Sequence, residues 1–64
     1  MKVGKRIKEL RKKNKFSQSK LAKKICILNQ SQICKIENGT RSVKADELKE
    51  IATALNVQIS ELII

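Results

Sequence analysis

The stretch that decides the fold is Phe16-Ser17-Gln18-Ser19-Lys20-Leu21-Ala22-Lys23-Lys24-Ile25-Cys26-Ile27-Leu28-Asn29-Gln30-Ser31-Gln32-Ile33-Cys34-Lys35-Ile36-Glu37-Asn38-Gly39. It holds two helical signals separated by a short turn. Ser17 is a good N-cap, because a hydroxyl accepts from the amides left unpaired in a first helical turn, and Leu21, Ala22 and Ile25 follow as an apolar stripe. This helix is expected to end near Cys26. Asn29 and Gln32 stand at capping-box spacing, which starts the next helix at Gln30, and Asn38-Gly39 ends it because Gly takes the left-handed closing conformation without strain. On a helical wheel at about 100° per residue, Ile33 and Ile36 mark the buried side. Ser31, Cys34, Lys35 and Asn38 fall opposite, with Gln30 and Ser31 at the leading end.

Working outward, Val3, Ile7 and Leu10 recur at i, i+4, i+7 and predict a helix from about Lys2 to Lys13, which Asn14 closes in the left-handed conformation. Phe16, the only aromatic residue, is expected to plug the core as the chain turns. Beyond Gly39, Thr40-Arg41-Ser42-Val43 reads as a loop. Ala45, Leu48, Ile51, Ala52 and Leu55 then mark a helix with Asp46 and Glu47 near its N-terminus, where negative charge is favoured, and Asn56 stops it. A last turn or two carries Ile59, Leu62 and Ile63. The expected architecture is all-α: residues 1–64 as one domain of five short helices, with no strand.

Composition bounds what such a domain can do. A chain of 64 residues buries only about 60% of the surface its unfolded form exposes, which leaves no room for an enclosed substrate cavity. There is no His, no nucleophile–base pair and no Gly-rich phosphate loop, so enzymatic activity has no support. The longest apolar run is the four residues Ile25-Cys26-Ile27-Leu28, far short of the roughly 20 a membrane span needs. The start, Met1-Lys2-Val3-Gly4-Lys5-Arg6, shows no secretory signal, so the reading is cytoplasmic with Cys26 and Cys34 reduced. Two thiols without His make no zinc site, and neither metal nor cofactor is expected.

Charge is segregated along the chain. Residues 1–35 hold twelve Lys/Arg against one acid (12 − 1 = +11), and residues 36–64 hold three against five (3 − 5 = −2). Such a field attracts a polyanion. The two short helices have the geometry of a helix-turn-helix, in which the second helix enters the major groove with its N-terminal residues against base edges. Gln pairs bidentately with adenine, Lys donates to guanine O6/N7, and Ser serves either. Gln30, Ser31 and Lys35 are therefore suitable base readers.

With these residues in place, the sequence resembles the Xre/Cro-type helix-turn-helix family, the phage-repressor-like or lambda-repressor-like DNA-binding domains. The matching segments are Arg6-Ile7-Lys8-Glu9-Leu10-Arg11, Phe16 to Ala22, Ile33 to Gly39, and Leu48 to Leu62. The resemblance covers nearly the whole chain. It implies a compact five-helix domain with its helix-turn-helix at about 17–38, acting as a sequence-specific, double-stranded DNA-binding transcriptional regulator, repressor-like and homodimeric. It further implies that Gln18 touches a phosphate and helps position Gln30, that Gln30, Ser31 and Lys35 face bases, and that Asn38, Arg41 and Lys44 lie along the backbone. Arg11 and Glu37 match the family's ion pair, an architectural feature.

The chain departs from the family pattern in two places. The stretch from Leu21-Ala22 to Ile33 is one residue longer than usual, and Cys26 stands where the family commonly has Gly in the left-handed conformation. The base-reading assignments therefore require the helical register to be restored at Asn29. Cys34 falls on the reading face, where a redox switch weighs against the commoner role of cysteine as an inert packing residue. Ile59, Leu62, Ile63 and Ile64 are candidates for a self-association surface, against the alternative that they finish the core. A second functional reading is an antitoxin-like interaction module of the same fold whose main partner is a protein. RNA binding by base stacking lacks the aromatics it needs, and the interrupted helices argue against a membrane-active peptide.

Overall fold

A computed structural model describes residues 3–63 and consists of four α-helices, α1 (Val3–Lys13), α2 (Gln18–Ile25), α3 (Gln30–Glu37) and α4 (Ala45–Ala54), followed by one 3-10 turn at Ile59–Glu61. The expected fifth helix is thus only a single turn. Its three residues offer a face too narrow to bury by themselves, and the turn is held from outside: Arg6 Nε donates to the carbonyl of Glu61 at 2.8 Å, and Leu62 is fully buried. Among the described residues there is no strand. The expected start of α1 at Lys2 and the candidate Ile64 lie outside the described residues.

The core gathers one side of every helix. Ile7, Leu21, Ile33, Ile51, Leu55 and Leu62 have almost no exposure, and Val3, Leu10, Ile25, Leu28, Ile36 and Ala52 complete the same cluster. Each of the Val, Leu and Ile side chains contributes about 1.5–3 kcal/mol on burial. Ala45, expected on the buried stripe of α4, is exposed, since it is the helix's first residue and lies at the rim. Phe16 is only half-buried: it packs against the core's edge while the ammonium groups of Lys20 and Lys24 lie 5.4 and 5.3 Å from its ring centroid.

The turns hold the main local surprises. The reversal after α1 falls at Lys15 (φ 60) and not at Asn14, because the backbone N–H of Asn14 still donates to the carbonyl of Leu10 at 3.0 Å and the turn closes one residue later, with Phe16 N–H on the carbonyl of Arg11 at 3.0 Å. Asn56, by contrast, closes α4 in the left-handed region, with φ 58. In the lengthened turn between α2 and α3, Cys26 is left-handed (φ 61, ψ −21) and its N–H donates to the carbonyl of Ala22 at 3.1 Å. Despite its β-carbon, Cys26 does the work of the glycine it replaces. Of the next two residues, Ile27 turns out to solvent and Leu28 turns into the core, a core position that helical periodicity could not reveal.

Candidate nucleic-acid interface

The register of α3 is fixed at its first residue. Asn29 Oδ1 accepts from the backbone N–H of Gln32 at 2.8 Å, and Gln32 Oε1 accepts from the N–H of Asn29 at 2.9 Å. This reciprocal capping box satisfies two otherwise orphaned amides and starts the helix at Gln30, as the base-reading assignment requires. At the other end, Gly39 adopts φ +84 with open space around it, and Thr40 folds back so that its N–H and hydroxyl donate to the carbonyl of Lys35 at 2.9 and 3.3 Å.

The last turn of α3 is anchored by Glu37, whose side chain is almost fully buried. Arg11 Nε and Nη2 donate to its two carboxylate oxygens at 2.7 and 3.1 Å, and the amide of Gln18 donates to Oε1 at 3.0 Å. Arg11 also donates to the carbonyl of Phe16 at 2.7 Å. A buried carboxylate requires such partners. One network thereby ties α1, the start of α2 and the end of α3 together.

On its open side α3 contributes to a shallow concavity lined by Gln18, Gln30, Ser31, Cys34, Lys35, Asn38 and Thr40. Five of the residues assigned to DNA contact from the sequence, Gln18, Gln30, Ser31, Lys35 and Asn38, are thus together, with Cys34 among them. Among the described residues, the side chains of Gln30, Ser31 and Lys35 make no hydrogen bond within the chain, and Gln30, Ser31, Cys34 and Lys35 are exposed. Asn38 uses its carbonyl oxygen on Thr40, accepting from the hydroxyl at 2.9 Å. Gln18 is bonded to Glu37 and not to Gln30. Both cysteines are free and exposed, so neither is the packing residue their chemistry favours.

Arg41 and Lys44 lie outside this concavity, in the loop leading to α4. Arg41 grips the carboxylate of Glu47 with both terminal nitrogens, at 3.0 and 2.9 Å, and Glu47 also accepts from the N–H of Lys44 at 3.0 Å. The Arg41 hydrogen bonds and then the Lys44 amide lower the pKa of Glu47 from an ordinary 4.5 to about 2. Sequence spacing gave the position of Glu47 near a helix start but not this pairing; Thr40 likewise enters the concavity only through the chain reversal at Gly39. Lys44 is exposed.

Residues 7–62 match the family model described as helix-turn-helix. The chain belongs to the helix-turn-helix family. It is 39% identical over 61 residues to control protein C.BamHI of Bacillus amyloliquefaciens, covering 94% of this chain and 74% of that protein. It is also similar to the crystal structure of the restriction-modification controller protein C.AhdI from Aeromonas hydrophila, with a TM-score of 0.91 and 36% identity over 95% of this chain and 87% of that one. The helix-turn-helix frame is thus shared with that structure. As a member of this family the chain is a DNA-binding transcriptional regulator. No helix among the described residues is long and apolar enough to cross a membrane.

The apolar end of the chain divides. Leu62, expected as part of a self-association surface, is wholly buried beneath the 3-10 turn and is not available to a partner. Ile59 and Ile63 remain 39% and 44% exposed.

Proposed function

We propose that this helix-turn-helix regulator lays α3 in the major groove of double-stranded DNA, where Gln30, Ser31 and Lys35 contact base edges. Gln18, Asn38, Lys44 and Arg41, the last with Glu47 kept as its partner, follow the phosphate backbone. The observation that carries this reading is the set of exposed side chains on α3 with no partner inside the chain, displayed on a helix capped at its start and anchored at its end. Donors and acceptors left free on a fixed scaffold suit direct readout, because a bidentate contact tolerates little misplacement. The positive charge of the first thirty-five residues supplies the sequence-independent attraction.

The relatives give this activity a setting. By similarity to the restriction-modification controller protein C.AhdI, the setting is control of restriction-modification; within it we read the protein as a cytoplasmic, repressor-like regulator and not an enzyme. It acts as a homodimer on an inverted repeat, with half-sites about one helical turn apart. Ile59 and Ile63 are the exposed apolar residues that favour such a dimer, with Ile64 as the neighbouring candidate.

Selection of tight-binding duplexes from a random pool at near-physiological salt tests this reading. An inverted repeat with fixed spacing is expected. Sequence-blind, salt-sensitive binding would overturn it and point to a protein partner, as in an antitoxin-like module.

A further inference from the structure

We infer that Gly4, which lies outside the reading face, is a positioning residue for base readout: it lets the first turn of α1 lie directly on the backbone that ends α3. The inference rests on the reading of α3 given above.

Gly4 stands in the first turn of α1, one residue after its start. A β-carbon built there would overlap the carbonyl oxygen of Ile36 and come within 2.9 Å of the Ile36 carbonyl carbon and 3.2 Å of the Glu37 Cα. All three are backbone atoms, so no change of rotamer clears the way. The backbone at Gly4 is ordinary α-helix, and glycine is the poorest helix former apart from proline. Its presence therefore runs against local preference and answers to the space left by α3.

The atoms it touches belong to the end of the reading helix. The Ile36 carbonyl that faces Gly4 also accepts the N–H of Gly39 at 3.2 Å, within the closure that places Asn38 and Thr40 on the concavity. The contact brings the N-terminal end of α1, with its partial positive charge, against the C-terminal end of α3, with its partial negative charge. Two turns further along α1, Arg11 holds Glu37 through long side chains. A clamp of that kind secures the end of α3, while a backbone contact with no side chain between sets how closely and at what angle it sits.

Adding one carbon at Gly4 requires α3 or α1 to yield by roughly 1–1.5 Å to restore an ordinary separation from the Ile36 carbonyl oxygen. Bidentate base contacts do not survive a shift of that size, whereas flexible lysines still reach phosphates. Specific binding should fall while non-specific binding persists.

The test is Gly4→Ala, made in the parent and in a Lys15→Gly background that relieves a remote left-handed residue and so offsets part of any loss of stability. Three quantities are compared: affinity for the duplex selected by the parent protein, affinity for an unrelated duplex at low salt, and backbone amide shifts of the free protein. The expected result is a cooperatively folded variant with amide shifts concentrated in residues 36–41. It binds the selected duplex at least tenfold more weakly and the unrelated duplex as before. Parent-like affinity for the selected duplex, or equal loss on both duplexes, overturns the inference. So does failure to fold in both backgrounds, which would make the contact a requirement of folding. A parent that cannot discriminate duplexes overturns the reading of α3 itself. In that case the amide shifts still decide Gly4, because their absence from 36–41 would remove its hold on α3 without reference to DNA.

Discussion

Arg11 and Glu37 meet as a two-toothed, almost dry ion pair, Nε to Oε2 at 2.7 Å and Nη2 to Oε1 at 3.1 Å, across 26 positions of sequence. Removing one partner leaves the other charge buried and unpaired. Arg11→Ala should therefore destabilise the fold by about 3 kcal/mol or more, lowering the melting temperature by at least roughly 12 °C in a domain of this size. Replacing both residues by Met should recover most of the loss, because the penalty lies in the stranded charge and not in the missing attraction. Thermal unfolding followed by circular dichroism decides it; a double variant no better than the single one would contradict this account.

A second prediction concerns the turn before α3. Cys26 holds φ 61, a conformation that costs a residue with a β-carbon about 1–2 kcal/mol. Cys26→Gly removes that strain and returns part of it as unfolded-chain entropy, so a net gain of about 0.5–1 kcal/mol is expected. The melting temperature should rise by several degrees with the α3 register unchanged. A lower melting temperature would mean that the weak contact of the thiol with the Lys23 carbonyl, at 3.5 Å, matters more than the backbone strain.

How far the sequence alone specifies these features differs from one to the next, for physical reasons. α2 and α3 were readable because their signals are local: Ser17 and the Asn29–Gln32 box act within one helical turn, and both caps form. The gathering of Ser31, Cys34, Lys35 and Asn38 on one side follows from helical periodicity, and Gln30 joins them from the leading end of the helix. What the sequence did not yield depends on tertiary or competing local contacts. Leu28 is buried by the path of a non-helical turn, and Leu62 by packing beneath a segment too short to be a helix. Lys15 replaces Asn14 in the left-handed position because the helical hydrogen bonding runs one residue further, through the Asn14 N–H to the carbonyl of Leu10. The contact expected between Gln18 and Gln30 is replaced by one to Glu37, nineteen positions away, which takes the Gln18 amide N–H.

A third prediction follows from Arg41 and Glu47. The Glu47 carboxyl is held at about 2 by the Arg41 guanidinium and the Lys44 amide. A carboxyl depressed in the folded state adds stability that is fully present above its unfolded pKa and disappears as pH falls through its folded pKa. The melting-temperature advantage of the parent over Glu47→Gln should thus be constant above about pH 5 and shrink between pH 4.5 and 2. An advantage that stays constant down to pH 2 would show that the pair does not carry the shift.

The division between backbone and base contacts gives the last prediction. Each phosphate neutralised by a cation releases counterions, so the logarithm of affinity falls linearly with the logarithm of salt concentration, by about 0.9 per contact. Lys44 is exposed in the loop before α4 and outside the concavity, so Lys44→Ala should make that slope shallower by about one and leave sequence preference unchanged. Gln30 lies in the concavity and is uncharged; Gln30→Ala should leave the slope alone and relax preference at particular base pairs, by about 1–3 kcal/mol for a bidentate contact. Lys35→Ala should likewise relax preference at the pair it reads. Binding measured across a salt series on the selected duplex and its single-pair variants separates these behaviours. If Lys44→Ala and Gln30→Ala alter slope and preference alike, the loop and the helix do not divide the work, and α3 is not the element that reads sequence.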